Sequence, residues 1–301
     1  MLIIIGWVVV TICVFGSFVL GGGHILALLQ PFEFMCIAGA AAGAFVVSNP
    51  PKTLRSVLKA VPACFKSKDY SKEKYLQLIA LLYELLQKAR QEGLLALESD
   101  VNDPEASPIY TKYPSVKDDV HLLEFINDYL RMMLSGNLNV LEIQELMDAE
   151  LDTHHAEAAI PATAIQRIAD AMPAFGIVAA VMGVVHTMGS VGAPPKVLGE
   201  MVAAALVGTF LGILLGYGFI GPLASLIEAN SQEEAKKFEC VKSVLLASMS
   251  GYSPTVAVEF GRKVVFSVDR PSFDELEDAV RATKEKPAAA DGAPDAVPTP
   301  A

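Results

Sequence analysis

Few residues in this sequence have the types and spacing from which reaction chemistry could be built. His154 and His155 follow Asp152 closely and could suggest a metal site. Adjacent residues on a helix do not share a face, however, so a solvated helix is the better interpretation. No nucleophile paired with a base, no phosphate loop and no metal cluster stands out. We therefore expect no catalytic residue, no metal and no cofactor, and the chain is predicted not to be an enzyme.

Two prolines stand near the ends of long apolar segments, at matching depth. Pro173 and Pro222 each remove a backbone N–H donor and bend or break a helix. A lone proline at a helix end is usually only a stop. Two prolines at one depth also suit a flexible kink that couples an event inside a membrane to a domain outside it, so both interpretations stay open.

Small and hydroxylated residues recur in the same apolar segments. The small residues are spaced four apart at Ala204, Gly208, Gly212 and Gly216, and again at Gly39 and Gly43. This spacing lets helix backbones approach closely, either in ordinary packing or around a foreign helix. The hydroxyls of Thr209 and Tyr217 either bond to their own helix or line a polar path.

A group of charges follows a long apolar-periodic run that predicts a helix from Lys72 to about Ala96. Arg90 and Glu98 would lie about two turns, or roughly 12 Å, apart if this helix were unbroken. They would then present opposite charges separately rather than as an ion pair. Either they belong to a solvated helix end, or they form a docking edge for a charged partner.

The elements that carry these residues are predominantly apolar. The chain has 301 residues, of which 52% are hydrophobic and 19% charged, and the apolar residues are concentrated in four windows. These windows predict transmembrane helices at about 2–20, 32–48, 172–190 and 201–222. The predicted fold class is an all-α integral membrane protein, with four transmembrane helices in two hairpins and a large helical cytoplasmic domain.

None of the four predicted spans contains a carboxylate at mid-membrane depth. Glu33 and His186 are the acidic and basic residues of these spans, and both fall toward the outer ends. Intramembrane carboxylates are the usual groups for carrying protons across a bilayer. This chain alone is therefore predicted to lack such a group.

The distribution of basic residues predicts the orientation. Lys and Arg are concentrated after the second and fourth spans, at Lys52, Arg55, Lys59, Lys66, Lys68, Lys236, Lys237 and Lys242. The two loops within the hairpins contain only Lys196. Because basic residues stay on the cytoplasmic side, both termini and the middle domain are predicted to be cytoplasmic. No basic region precedes Leu2, so the first span is expected to remain in the mature protein.

The predicted domains follow from these spans. They are residues 1–49 for spans one and two, 50–170 for a cytoplasmic helical domain, 171–227 for spans three and four, 228–286 for C-terminal cytoplasmic helices, and 287–301 for a disordered tail. The net charge of −11 argues against a nucleic-acid partner. The four cysteines have no CxxC spacing, so neither disulfides nor a zinc site is implied.

Several helix boundaries inside the polar regions are also predicted. A capping box at Ser115 and Asp118 opens a helix that stops at Gly136, and another helix runs from about 140 to 158. A polar helix over about 228–246 prolongs the fourth span, and Gly251 and Pro254 end it. Ser272 and Glu275 form a second capping box.

These residues and segments resemble the flagellar motor stator subunit family MotA, within the MotA/TolQ/ExbB proton channel family. The resemblance extends from MLIIIGWVVV to about Lys286, in the family's order and spacing, and does not include the tail. The segments that carry it are LLYELLQKARQEGLLALESD, MPAFGIVAAVMGVVHTMGSVG, LVGTFLGILLGYGFIGPLASL and GYSPTVAVEFGRKVVFSVDRPSFDELE.

The resemblance implies a bacterial inner-membrane stator unit in which several copies of the chain surround a MotB dimer anchored to peptidoglycan. The missing membrane carboxylate would be an aspartate on MotB, and proton flow would power rotation. Pro173 and Pro222 match the family's two functional prolines, Thr209 and Tyr217 match positions near the ion path, and Ala180 matches a packing position. Arg90 and Glu98 match the charges that engage the rotor protein FliG.

Three alternatives stay open at this stage. A sodium-driven stator is one, although the long cytoplasmic portion looks like the proton-driven members. An energising subunit of the TolQ or ExbB kind is another, but those proteins usually have three spans. A membrane scaffold without ion flow is the third.

Overall fold

The computed structural model of the chain describes residues 2–65, 71–136 and 139–285. This described part contains α-helices, short 3-10 turns and one π-helical segment, and it has no β-strand. The predicted all-α membrane fold is therefore confirmed. The tail over 287–301, which was predicted to be disordered, lies outside the described residues.

The helices are named in chain order. They are α1 (Leu2–Leu20), α2 (Pro31–Ser48), α3 (Pro51–Ala63), α4 (Lys72–Glu92), α5 (Glu98–Asn102), α6 (Pro114–Lys117), α7 (Val120–Ser135), α8 (Val140–Met188), α9 (Pro195–Ile213), α10 (Gly221–Met249), α11 (Pro254–Val264) and α12 (Phe273–Glu285). The 3-10 turns are Ile25–Leu28, Leu94–Leu97 and Tyr110–Lys112, and the π-helical segment is Leu214–Ile220.

The chain divides into two compact units. The membrane unit consists of residues 1–69 and 153–233, and the globular unit consists of residues 70–152 and 234–301. Among the residues that the structure describes, four helical stretches are long and apolar enough to cross a membrane, and they begin at Leu2, Ile25, Val140 and Pro195. The predicted domain limits at 50, 171 and 228 differ from the limits of these units, and the extent of the cytoplasmic regions stays a prediction.

The membrane unit is held together by close helix contacts between small residues. A Cβ added at Gly212 would lie 2.7 Å from the Met172 carbonyl oxygen and 2.8 Å from the Gly176 Cα, so α9 and α8 touch backbone to backbone. The close approach predicted from the small residues of α9 is therefore found. At Gly39 and Gly43 of α2, by contrast, an added Cβ would meet nothing within 4 Å.

The helix α8 is longer than predicted. It runs without a break over 49 residues, although Pro161 and Pro173 lie inside it. The predicted end of a helix at about 158 is therefore wrong, because this helix continues into the predicted span over about 172–190. Pro161 has no N–H to donate to the Glu157 carbonyl, four residues earlier. The next carbonyl, that of Ala158, accepts a hydrogen bond from the Ser231 hydroxyl of α10 at 3.1 Å, which holds α8 against α10 close to this proline.

The core of the globular unit is built on α4. Nine residues of α4 are buried, and the helix packs against α11 and α12. Large buried side chains from other elements complete the core, among them Tyr110 and Tyr129. Burial of so many apolar side chains is the main stabilising contribution in a domain of this kind.

The start of α7 differs from its prediction. Asp119 caps it by accepting the Leu122 N–H at 3.2 Å, while the Ser115 hydroxyl donates to Gln77. The proposed capping box at Ser115 and Asp118 is wrong because a tertiary contact takes the serine hydroxyl. The predicted stop at Gly136 is confirmed, with φ of 68° that favours glycine.

The last helices follow the predicted boundaries. α10 does prolong the fourth span, since it continues to Met249, and α11 begins at Pro254. The capping box at the start of α12 is confirmed in both directions. The Ser272 N–H donates 2.7 Å to Glu275, and the Glu275 N–H donates 3.2 Å to the Ser272 hydroxyl.

Candidate functional site

The first candidate site surrounds Pro173, where α8 meets the π-helical segment. A Cβ added at Gly216 would lie 2.6 Å from the Ala169 carbonyl oxygen and 3.2 Å from the Pro173 Cδ. Pro173 has no N–H to donate to the Ala169 carbonyl, four residues earlier, so this oxygen has no α-helical donor. The only residue type that fits against it without displacing a neighbour is glycine.

The second proline, Pro222, follows the π-helical segment that contains Gly216. Pro222 is the second residue of α10 and has no N–H to offer to the Gly218 carbonyl. The Gly221 N–H donates to the Gly216 carbonyl, five residues earlier, so the helix widens to π geometry just before the proline. Wide turns of this type are frequent at functional positions. The sequence analysis placed a helix bend at Pro222 but did not foresee a π segment over Leu214–Ile220.

The two hydroxylated candidates differ in their surroundings. Thr209 of α9 is half-buried, and no hydrogen bond of its hydroxyl occurs among the described residues, whereas Thr187 donates to its own helix at the Gly183 carbonyl. Tyr217 lies within the π segment and is 59% exposed. Both hydroxyls are therefore available to a group outside this chain.

Ala180 lies in the contact between α8 and α9. A Cβ added at Gly208 would lie 3.2 Å from the Ala180 backbone nitrogen and 3.1 Å from the Ala179 Cβ. A side chain at Gly208 would therefore press against the α8 backbone at Ala180. The structure thus places Ala180 in the same row of close helix contacts as Gly176, Gly208 and Pro173.

A polar cavity that the sequence analysis missed lies beside the proline contact. It has a volume of about 300 Å³ and is lined by residues of α8 and α10, including Gln166, Arg167, Asp170 and Glu228. The Gln166 amide donates 2.8 Å to the Asp170 carboxylate. The polar residues Thr163, Gln166 and Asp170 recur every three or four positions along α8, immediately before its charge-free part, and this pattern could have indicated the cavity.

The second candidate site is a charged loop in the globular unit. Arg90 lies in the last turn of α4 and Glu98 is the first residue of α5, and both side chains are exposed. The expectation of a helix continuing to about Ala96 is wrong, because Gly93 has φ of 90° and ends α4. Each charge now complements the dipole of its helix end, positive at a C-terminus and negative at an N-terminus.

A buried network holds this loop. Asp100 is 2% exposed, and its carboxylate accepts Lys88 at 2.7 Å and the Ser107 hydroxyl at 2.6 Å. The Ile109 N–H donates in turn to the Ser107 oxygen at 3.2 Å. The network joins Lys88, two positions before Arg90, to Asp100, two positions after Glu98. The pairing of Lys88 with Asp100 could not be predicted from the sequence, because the two residues are twelve positions apart and are brought together by the fold.

Tyrosine and carboxylate pairs stabilise the same unit. Tyr113 donates 2.7 Å to Glu84, and Tyr129 donates 2.6 Å to Glu150. Burial raises the pKa of both phenols well above their usual range, and the hydrogen bond to the neighbouring carboxylate adds to the rise. These tyrosines therefore act as neutral donors at physiological pH. Among the described residues, no group of three His, Cys, Asp or Glu side chains could hold a metal ion.

Taken together, these features define a class of protein. Four apolar spans packed through glycines carry proline and π-helical irregularities but no central carboxylate, and a separate helical unit presents a charged loop. This combination is typical of membrane subunits that couple an event among the spans to a helical domain, rather than of enzymes.

Comparisons with known proteins place the chain within this class. Residues 4–93 match the family described as Motility protein A N-terminal, and residues 119–240 match the MotA/TolQ/ExbB proton channel family. Motility protein A of Salmonella typhimurium is 50% identical over 284 residues, which cover 94% of this chain and 96% of the relative. Chemotaxis protein LafT of Vibrio parahaemolyticus is 37% identical, with coverage of 91% and 96%.

Solved structures show the same fold. The flagellar MotAB stator complex from Bacillus subtilis contains a chain with a TM-score of 0.71 and 26% identity, and the match covers 92% of this chain and 98% of that one. A chain of C. jejuni MotAB has a TM-score of 0.74 at 22% identity, with coverage of 90% and 98%, and supports the fold alone.

The chain belongs to the motility protein A family, the stator subunits of the bacterial flagellar motor within the MotA/TolQ/ExbB proton channel family. It is a multi-pass inner-membrane protein. The alternative of a TolQ or ExbB type energising subunit is not favoured, because the long matches are to motility proteins.

Proposed function

We propose that several copies of this chain surround a MotB dimer and convert proton flow into torque on the rotor protein FliG. The observation that carries the proposal is the contact of Gly216 with Ala169 and Pro173, in spans that contain no central carboxylate. The coupling machinery is present in the chain, but the titrating group is not. A partner helix with a membrane aspartate would supply that group.

The proline contact supplies a means of coupling. Helices α8 and α10 run without a break from the proline level into residues of the globular unit. A change of charge on the partner's aspartate would shift the packing around Gly216, where there is no spare space, and the continuous helices would transmit the shift. The membrane potential contributes about 2.3 kcal/mol for each proton per 100 mV.

The half-buried Thr209 and the exposed Tyr217 are proposed to face the ion path. Both hydroxyls are available to a group outside the chain, and hydroxyl oxygens hydrogen-bond readily to water and to a carboxylate. In the proposed orientation both termini and the globular unit face the cytoplasm, which follows from the basic residues after the second and fourth spans.

The charged loop is the proposed contact with FliG. Arg90 and Glu98 are exposed and make no ion pair within the described residues, so both charges remain available to a rotor surface of complementary charge. The ion pair of Lys88 with the buried Asp100 holds the two ends of the loop together. Opposite charges at the two ends of a short loop also provide a means of orienting the partner.

Charge reversal in the loop tests the proposal. A strain that lacks the chain should have flagella but not swim, and the unaltered chain should restore swimming. We expect the double variant Arg90→Glu with Glu98→Lys to insert normally and to lose most of its torque, because rim charges steer and orient a partner. Torque is measured from the rotation of tethered cells, and insertion from the amount of chain in the membrane.

A matched control uses a second exposed pair of the globular unit. Arg281→Glu with Glu277→Lys reverses two charges on α12, where the pair is 3.2 Å apart and more than half exposed. This control should swim normally, since exposed pairs contribute little to stability. Normal torque from the Arg90 and Glu98 double variant would remove these residues from the rotor interface.

A further inference from the structure

Helix α3 follows the second span after a two-residue gap and has three distinct faces. The inner face contains Thr53 and Val57, which are buried, and Ala60, which is partly buried. Val57 packs in a cluster with residues of α8 and α10, such as Ile165 and Leu223. This face fixes α3 to the rest of the membrane unit, so its other two faces are directed outward.

The second face of α3 is basic. Lys52, Arg55 and Lys59 are spaced three and four residues apart, which places them on one side of the helix. All three side chains are exposed, and none has an ion pair or hydrogen bond in the described residues. The sequence of α3, PKTLRSVLKAVPA, contains no acidic residue. Within the part of the chain that the structure describes, three neighbouring cations are therefore left without a counter-charge.

The third face of α3 and its C-terminal extension is apolar, and it adjoins the basic face. Leu54, Leu58, Pro62 and Phe65 are spaced four, four and three residues apart. Leu58 is 74% exposed and Phe65 is 41% exposed. Large apolar side chains with this exposure are unfavourable in water. An exposed apolar stripe beside a basic stripe is typical of a helix that lies in a lipid interface.

We propose that the outer faces of α3 bind anionic phospholipid, with the headgroup phosphates on the three cations and the acyl chains against Leu58 and Phe65. The position favours lipid over a protein partner, because α3 begins at Pro51, directly after a span that ends at Ser48. Juxtamembrane cations attract anionic headgroups, and an apolar stripe adds insertion into the acyl region. Bound lipid would hold the end of α2 at a fixed depth.

The chain contains a reporter for this site. Its single tryptophan, Trp7, lies in α1 with its ring centroid 5.9 Å from that of Phe65. Bromine atoms on lipid acyl chains quench tryptophan fluorescence at short range. The full chain is reconstituted in phosphatidylcholine vesicles that contain phosphatidylglycerol, and either one lipid or the other is brominated. The ratio of quenching gives the relative affinity of the two lipids beside α3.

We expect phosphatidylglycerol to be preferred about threefold to fivefold at low salt, with the preference reduced at high salt. The triple variant Lys52→Gln, Arg55→Gln, Lys59→Gln should lose the preference. It should keep its quenching by brominated phosphatidylcholine, which shows that it is inserted. The exchange Lys52→Arg, Arg55→Lys, Lys59→Arg retains the charges and should retain the preference.

A control that removes three cations elsewhere distinguishes lipid binding at α3 from an effect of the net charge of the chain. Lys72→Gln, Lys263→Gln, Arg281→Gln removes three cations from the globular unit and should leave the preference unchanged. Equal quenching by the two lipids in the unaltered chain would overturn the proposal. So would a preference that survives in the α3 triple variant, or one that 10 mM inorganic phosphate abolishes at constant ionic strength, since the surface would then bind free phosphate.

Discussion

The two units of this chain differ in whether their apolar side chains are exposed or buried. Helix α1 of the membrane unit buries none of its residues, and Val181 and Val185 of α8 are more than half exposed. Helix α4 of the globular unit buries nine residues in one core. The globular unit therefore has a core of its own, whereas the membrane unit exposes apolar side chains of the kind that lipid covers.

The two units also differ in the contacts that hold their helices together. In the membrane unit the contacts are between backbones at glycines, as at Gly212 and Gly176. In the globular unit long side chains make many of the contacts, such as Tyr129 with Glu150 and Lys88 with Asp100, and one close glycine contact is found between Gly261 and Cys240. Close backbone contacts leave no space to adjust, so a small displacement at one position must move a whole helix. The unit that is proposed to move is the one in which more of these contacts are found.

The largest expected effect comes from filling a glycine contact. In Gly212→Val the new side chain would begin 2.7 Å from the Met172 carbonyl oxygen, so α9 must separate from α8. Overpacking of this kind costs about 1–3 kcal/mol or more, and we expect little intact chain in the membrane and no swimming. Gly43→Val is the control, because an added Cβ there meets nothing within 4 Å. Equal membrane levels of the two variants would contradict the backbone contact.

An intermediate effect is expected in the buried network of the globular unit. In Lys88→Met the Asp100 carboxylate keeps its hydrogen bond from Ser107 but loses its counter-charge. We expect the free energy of unfolding of this region to fall by about 2 kcal/mol. The loss of stability is measured as faster hydrogen exchange at the amides of residues 98–110. The control Lys72→Met breaks the pair with Glu275, in which both side chains are 43% exposed, and should change hydrogen exchange at residues 98–110 much less. Similar exchange in both variants would argue against the network.

The smallest effect is expected from pH at the start of α12. The hydrogen bond from Lys72 and that from the Ser272 backbone lower the pKa of Glu275 from 4.5 to about 2. Because the folded pKa is below the unfolded one, this group stabilises the fold above about pH 4.5, and the contribution is lost as pH falls toward 2. Glu275→Gln should therefore melt slightly lower than the unaltered chain at pH 6, and the difference should shrink toward pH 2. A constant difference would exclude this linkage.

The sequence predicted the spans because charge-free segments of sufficient length have few alternatives to a bilayer. It also predicted the capping box at Ser272, which depends on local bonds alone. The unbroken α8 could not be predicted, because the bias of Pro161 against a helix interior is overridden by packing. The π segment before Pro222 and the cap at Asp119 instead of Ser115 likewise depend on tertiary contacts.

The candidate site residues show the same division. Pro173, Pro222, Ala180, Thr209 and Tyr217 were named from spacing and from the family resemblance, and the structure places Pro173 and Ala180 in one row of backbone contacts. The burial of Asp100 could not be predicted, because it depends on Ser107 being brought next to it by the fold. The roles of all these residues in ion flow and torque stay predictions.

Proton flux through purified protein in vesicles tests most directly whether the spans are only part of an ion path. Vesicles receive the chain alone, the chain with MotB, or the chain with a MotB whose membrane aspartate is replaced by asparagine. MotB is used without any segment that blocks flow. We expect flux driven by a proton gradient only with the chain and unaltered MotB, and none driven by a sodium gradient. Flux from the chain alone, or undiminished flux with the asparagine variant, would contradict the requirement for a partner carboxylate.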